Sequence, residues 1–201
     1  MANLFIISAP SGCGKTSLVK KLINQIDDIC VAISHTTREP RPGEVNGENY
    51  FFVSSDDFER IKNNDGFIEN AIVFGNQYGS AKKTVDGLLE LNKDVILEID
   101  WQGARQVRKL YSNAVSIFIL PPSIKSLNDR LNKRNQDSKS TVQKRMQEAI
   151  GEMEHFNEFN YIVINDDFDI AFNDLSSIIT SQRLLLGQQR DKHQNLIKSL
   201  I

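Results

Sequence analysis

At 201 residues, with 40% hydrophobic and 25% charged side chains, the chain has the material for one sizeable core and lies outside the composition of disordered sequences. Its 24 Lys and Arg against 26 Asp and Glu leave a formal charge of -2, so no global basic field favours a nucleic-acid partner and any anion site must be local. Cys13 and Cys30 are too few for a disulfide scaffold, and no apolar run approaches the roughly 20 residues that cross a bilayer. With no basic n-region or cleavage site at its start, the protein is expected in the cytoplasm, without a membrane partner.

Leu4-Phe5-Ile6-Ile7 reads as a strand buried on both faces that feeds the glycine-rich turn Ser8 to Gly14. A helix is expected next, because Leu18, Leu22 and Ile26 recur at helical spacing. Between His35 and Tyr50 the composition turns to Thr, Arg, Pro, Gly and Glu, which excludes a helix and predicts irregular chain or an edge strand. Tyr50-Phe51-Phe52-Val53 predicts a strand, and Ser54 to Glu59 has the polar cap and acidic first turn of a helix that Asn63-Asn64-Asp65-Gly66 stops. Val95 to Asp100 and Val115 to Leu120 are further buried strands around a helical stretch through Val107 and Leu110. A charge-rich helical region from Ser123 to His155 precedes the strand Tyr161-Ile162-Val163-Ile164, and one long amphipathic helix is expected from about Asp169 onward.

This alternation predicts an α/β fold: a doubly wound parallel sheet with ligands at the carboxyl ends of its strands. Polar stretches interrupt it twice. The expected division is a core of residues 1–33, 84–124 and 146–201, with inserted lobes at about 34–83 and 125–145.

Ala9-Pro10-Ser11-Gly12-Cys13-Gly14-Lys15-Thr16 matches the phosphate-loop pattern G-x-x-x-x-G-K-S/T, with Ala9 in place of the first glycine. Gly12 and Gly14 allow successive backbone N–H groups to face an anion, Lys15 reaches the β- and γ-phosphates, and Thr16 offers a hydroxyl to Mg²⁺. Ala9 would restrict the loop if its position required positive φ. Glu98 and Asp100 close a strand where a carboxylate could hold Mg²⁺ or its waters, although an acidic strand end at a surface has the same pattern. Further on, Arg38 and Arg41 stand three apart on a proline-stiffened segment followed by Tyr50. Guanidiniums of permanent charge with a phenolic donor suit a phosphate monoester, although two arginines by themselves read first as a solvated charged loop.

These blocks, together with Phe67-Ile68-Glu69, Gly75 to Ser80, Glu98 to Gly103 and Ile164 to Asp167, occur in an order and spacing that resembles the guanylate kinase family of the bacterial type over nearly the whole chain. The resemblance implies a P-loop NTPase fold whose first lobe binds a nucleoside monophosphate and whose second is a lid. It implies transfer of a phosphoryl group from Mg²⁺-bound ATP to GMP or dGMP. ATP would meet Ala9, Pro10, Ser11, Gly12, Cys13, Gly14, Lys15, Thr16 and Ser17, with Asn165 near the adenine. Metal would be held by Thr16 and, through water, Glu98. Arg38, Arg41, Tyr50 and Tyr78 would bind the GMP phosphate, and Ser34, Glu69, Ser80 and Asp100 would surround the guanine.

The chemistry of Glu69 fits that role. Guanine presents N1–H and its N2 amino group side by side, so one carboxylate accepts both, whereas adenine offers a lone pair at N1. Arg130, Arg134 and Arg145, which composition alone reads as a solvated face, become lid residues by the same resemblance and join Lys15 and Arg38 as the catalytic set. Two alternatives carry different expectations. A non-catalytic guanylate-kinase-like protein-binding module would have an eroded phosphate loop, and a kinase of another phosphorylated acceptor would lack the guanine residues Ser34 and Glu69.

Overall fold

The computed structural model describes residues 2–133 and 139–201. The chain begins β1 (Leu4–Ser8), α1 (Lys15–Gln25), β2 (Ile29–Val31), β3 (His35–Thr36), β4 (Phe51–Phe52), α2 (Ser55–Asn63), β5 (Phe67–Val73), β6 (Asn76–Ala81) and α3 (Lys82–Glu90). It continues β7 (Asp94–Glu98), α4 (Trp101–Leu110), β8 (Val115–Leu120), α5 (Ile124–Lys133), α6 (Lys139–Met153), β9 (Tyr161–Ile164), α7 (Phe168–Arg183), α8 (Leu186–Lys192) and α9 (Gln194–Leu200).

Five strands form a parallel sheet in the order β2-β7-β1-β8-β9. Successive side chains of a strand face opposite sides, and here both sides are buried. Phe5, Ile7 and Ile96 pack with Leu18 and Leu22 of α1 and Phe172, Leu175 and Ile179 of α7. Leu4, Ile6, Val95 and Leu97 pack on the opposite side with Val85 of α3 and Ala104 and Val107 of α4. The architecture is therefore the doubly wound α/β sheet of a P-loop NTPase. β1 lies centrally, with the next strand in the chain, β2, beyond β7 on one side and β8 and β9 on the other, so its carboxyl end opens at a topological switch point. The buried Ser8 hydroxyl donates to the Ile99 carbonyl at 2.7 Å and binds the carboxyl end of β1 to that of β7.

The second sheet, ordered β4-β3-β6-β5, is built within residues 35–81. Its β5–β6 hairpin falls in a stretch with little alternation, and a bulge between Phe67 and Glu69 explains why: Phe67, Ile68 and Glu69 are all buried in succession. The expected strand from Tyr50 to Val53 is only Phe51–Phe52, and the preceding arginine segment consists of β3 followed by turns.

At the other end, the single long helix expected from Asp169 is three helices. α7 stops where the Arg183 guanidinium donates to Asp94 Oδ2 at 2.7 Å and to the Asp27 carbonyl at 2.8 Å, and extended Leu185 redirects the chain. The nearest glycine, Gly187, lies inside α8 and not at the turn itself, where the tertiary hydrogen bonds of Arg183 hold the end of α7.

Candidate active site

The phosphate loop joins β1 to α1. Positive φ occurs at Gly12 (93°) and Gly14 (85°) and not at Ala9, so alanine meets no backbone penalty where the pattern has its first glycine. α1 has no side-chain cap and no acidic residue in its first turn. Its opening amides thus keep donors, and the positive end of the helix, for an anion. Lys15 Nζ lies 3.5 Å from Glu98 Oε2, and the Thr16 hydroxyl lies 3.3 Å from the same oxygen. A hydroxyl and a carboxylate converging in this way form the hard oxygen environment that suits Mg²⁺.

A cleft of about 850 Å³ runs from this loop to the second sheet. It is lined by Ala9, Pro10, Ser11, Gly12, Cys13, Gly14, Lys15, Thr16 and Glu98 at one end, and by Ser34, Arg38, Arg41, Tyr50, Glu69, Tyr78 and Asp100 at the other. Arg145 of α6 also borders it, and a smaller adjoining cavity contains Arg38, Arg41, Tyr78 and Arg145 together. Ser17 is exposed on α1 outside the lining. Arg130 donates to the Asn165 carbonyl at 2.8 Å, and Arg134 lies outside the described residues.

Glu44 organises the arginine segment. Its carboxylate takes Arg38 Nη2 at 2.9 Å on each oxygen and the Arg41 amide at 2.7 Å. Burial alone would raise its pKa, but the Arg41 amide and the Arg38 guanidinium outweigh that and hold it below the usual carboxylate range. Arg38 also rests 5.5 Å from the Tyr50 ring centroid, and Tyr50 meets Tyr78 edge-on at 5.8 Å. Cation, phenols and carboxylate therefore brace one another.

Glu69 is 2% exposed at the bulge of β5. Ser80 donates to its Oε1 at 2.7 Å, and the Ser34 hydroxyl lies 3.2 Å from Ser80. With Glu69 ionised, the Ser80 proton is committed to the carboxylate, so Ser34 donates to Ser80 and the chain of hydroxyls points inward. Burial pushes the Glu69 carboxyl up to about 7, nearby Asp100 adds to the rise, and the Ser80 bonds oppose it. Ser80, at 0% exposure, supports Glu69 from behind instead of facing the cleft. Asp100 caps α4 by accepting from the Gly103 amide at 2.8 Å, which fixes its carboxylate beside Glu69.

Three contributors were not evident from the sequence. Glu44 looked like one acid among several. Gly103 lets α4 approach Glu69, since a Cβ there would collide with Glu69 Oε2. Glu152 of α6 lines the phosphate end of the cleft, where the Ser11 amide bonds to it. Burial pushes its carboxyl up to about 7, with Asp100 adding and Ser11 and Lys15 opposing. Only the seven-residue interval from Arg145 to Glu152, two helical turns on one face, hinted at the last. Cys13 is a buried thiol pushed up to about 12 by desolvation, which suits a small packing residue and not a redox centre. Trp101 stacks on His155 at 3.6 Å and carries Arg105 at 4.5 Å, again a packing role.

A phosphate loop and an arginine–tyrosine cluster facing one cleft of a doubly wound sheet define a P-loop phosphotransferase with room for a donor and an acceptor. The guanylate kinase family model matches residues 1–182. Over 201 residues the chain is 48% identical to the guanylate kinases of Escherichia coli (strain K12) and Salmonella typhi, with 99% of this chain and 97% of each relative covered. Its fold matches the crystal structure of guanylate kinase from Anaplasma phagocytophilum with a TM-score of 0.78 at 31% identity, over 92% of this chain and 88% of that one. The chain belongs to the guanylate kinase family.

Proposed function

We propose that the chain transfers the γ-phosphoryl group of ATP to GMP, and to dGMP, giving ADP and GDP in purine nucleotide metabolism. The observation that carries this reading is the buried Glu69 carboxylate, backed by Ser80 and Ser34, in the same cleft as the phosphate loop. A carboxylate held there accepts guanine N1–H and N2–H together and leaves an adenine facing an unpaired buried charge. Sites that recognise a substrate donor in this way reject analogues lacking it by roughly 10⁴-fold.

The remaining roles follow from position and charge. Loop amides and Lys15 hold the donor phosphates, while Arg38, Arg41, Tyr50 and Tyr78 hold the acceptor phosphate across the cleft. An oxygen of the GMP phosphate attacks the γ-phosphorus, the bond from that phosphorus to the β,γ-bridging oxygen breaks, and ADP leaves with the electron pair. That nucleophile is already ionised, so no protein base is needed, and catalysis is positioning plus charge stabilisation. Thr16 directly and Glu98 through water would hold Mg²⁺, which supplies charge neutralisation for the donor phosphates. Arg130 and Arg145 bring further positive charge from the lid as the inserted lobes close and exclude competing water.

Lys15, Thr16 and Glu98 standing together argue against a protein-binding module that has lost turnover. No described helix is long and apolar enough to cross a membrane, and two free cysteines fit the cytoplasmic setting that belongs to this reading. The test is ADP release from ATP with GMP, dGMP, AMP, CMP and UMP in turn. Turnover is expected with the guanine nucleotides, and equal rates with AMP would defeat the assignment.

A further inference from the structure

Asn165 follows β9 and is 4% exposed, and its carboxamide nitrogen is engaged inside the protein. Nδ2 donates to the Cys13 carbonyl of the phosphate loop at 2.6 Å. Its own amide donates to the Leu120 carbonyl at the end of β8 at 2.8 Å, and its own carbonyl accepts from Arg130 of α5 at 2.8 Å. The contact with the loop is close enough that a Cβ at Gly14 would collide with Asn165 Nδ2. One side chain thus touches the loop, while its main chain joins two strand ends and a lid arginine.

The chemistry of a trans peptide gives this contact a direction. The C=O and N–H of one peptide point opposite ways, so holding the Cys13 carbonyl toward Asn165 turns the Gly14 N–H away from it. Gly14 lines the cleft, where that N–H serves as an anion donor. Were the Cys13–Gly14 peptide to flip, which glycine permits, a carbonyl oxygen would face the phosphates in place of a donor.

We propose that Asn165 is a positioning residue for donor binding: it clamps the Cys13–Gly14 peptide in its donor-out orientation and, through its main-chain carbonyl, registers Arg130 of the lid to the phosphate loop. This rests on the reading that the loop binds the donor phosphates. The role concerns the triphosphate and is indifferent to the base it carries.

Kinetics of Asn165→Ala and Asn165→Asp with ATP and with ITP as donors, each against GMP, test the proposal, with Lys15→Ala as control. Asn165→Ala is expected to raise KM for the donor about ten-fold, by the same factor for ATP and ITP, with KM for GMP within two-fold of the parent. Asn165→Asp, which sets a carboxylate against the Cys13 carbonyl, is expected to do at least as much harm and so covers the case of an Ala variant that fails to fold. A loss confined to ATP would assign Asn165 to the adenine and overturn the proposal. Unchanged donor KM, full activity of Asn165→Asp, or equal losses for donor and acceptor would overturn it as well. Undiminished turnover in Lys15→Ala would instead remove the phosphate-loop reading beneath it.

Discussion

The Lys15 ammonium sits 3.5 Å from the Glu98 carboxylate across the carboxyl ends of β1 and β7. Adjacent parallel strands fix this pair: Ile7 is in register with Glu98, and the Ser8–Ile99 hydrogen bond holds the strand ends together. The two groups proposed to meet the donor phosphates and their metal are therefore paired with each other. Glu98→Gln keeps the shape and removes the charge. Velocity titrated with Mg²⁺ at saturating nucleotides should show a several-fold higher requirement for half-maximal rate, and an unchanged requirement would exclude Glu98 from the metal site.

Glu44 never reaches the phosphate in this account, yet it fixes Arg38 and the turn carrying Arg41. Glu44→Ala should raise KM for GMP about ten-fold, in line with the loss of a charge-assisted hydrogen bond, and leave KM for ATP unchanged. Initial-rate measurements in both substrates separate the two constants.

The Glu69 carboxyl is lifted from 4.5 up to about 7 by burial, with Asp100 adding to the rise. A folded-state pKa above the unfolded one means that the folded chain holds the proton more tightly. Ionised Glu69 therefore costs stability above about pH 7, and the cost fades as pH falls toward 4.5. Glu152 titrates in the same direction and range, so the comparison must be with the neutral isostere. Glu69→Gln should melt about 2–4 °C above the parent at pH 8, for a gain near 1 kcal/mol, and show little gain at pH 5. Calorimetry at the two pH values decides it.

Gly103 is a packing glycine, since its missing side chain makes room for Glu69. Gly103→Ala should cost about 1–3 kcal/mol of stability, the usual range for overpacking, and weaken GMP binding by displacing the carboxylate. Denaturant unfolding and GMP titration of the same variant provide the two readings. Normal stability would mean that Glu69 can move freely.

The parallel core was legible because its strands are short apolar runs punctuated by loops, and the phosphate loop because its pattern needs a strand before it and a helix after it. The β5–β6 hairpin was less legible for a functional reason. Glu69 and Ser80 put polar atoms where an ordinary strand would put apolar ones, and Gly79 is small because a Cβ would press on Phe58 and Phe67. Around the acceptor end, Arg38, Arg41 and Tyr50 were legible as a candidate phosphate site from the residues themselves and Ser34, Glu69, Tyr78 and Ser80 only through the family resemblance, whereas Glu44, Gly103 and Glu152 needed three dimensions. Their partners are, respectively, the turn carrying Arg41, the Glu69 carboxylate and the Ser11 amide, contacts that chain order does not reveal. The burial of Asn165 against Cys13 is likewise invisible in the chain order.

Glu69 is proposed to make the acceptor guanine, and the ratio of kcat/KM for GMP to that for AMP, in the parent and in Glu69→Ala, decides it. The parent ratio should be of order 10⁴ and should collapse by at least ten-fold in the variant, mainly through loss of GMP. A parent that phosphorylates AMP as well as GMP, or a variant that keeps the parent ratio, would contradict it.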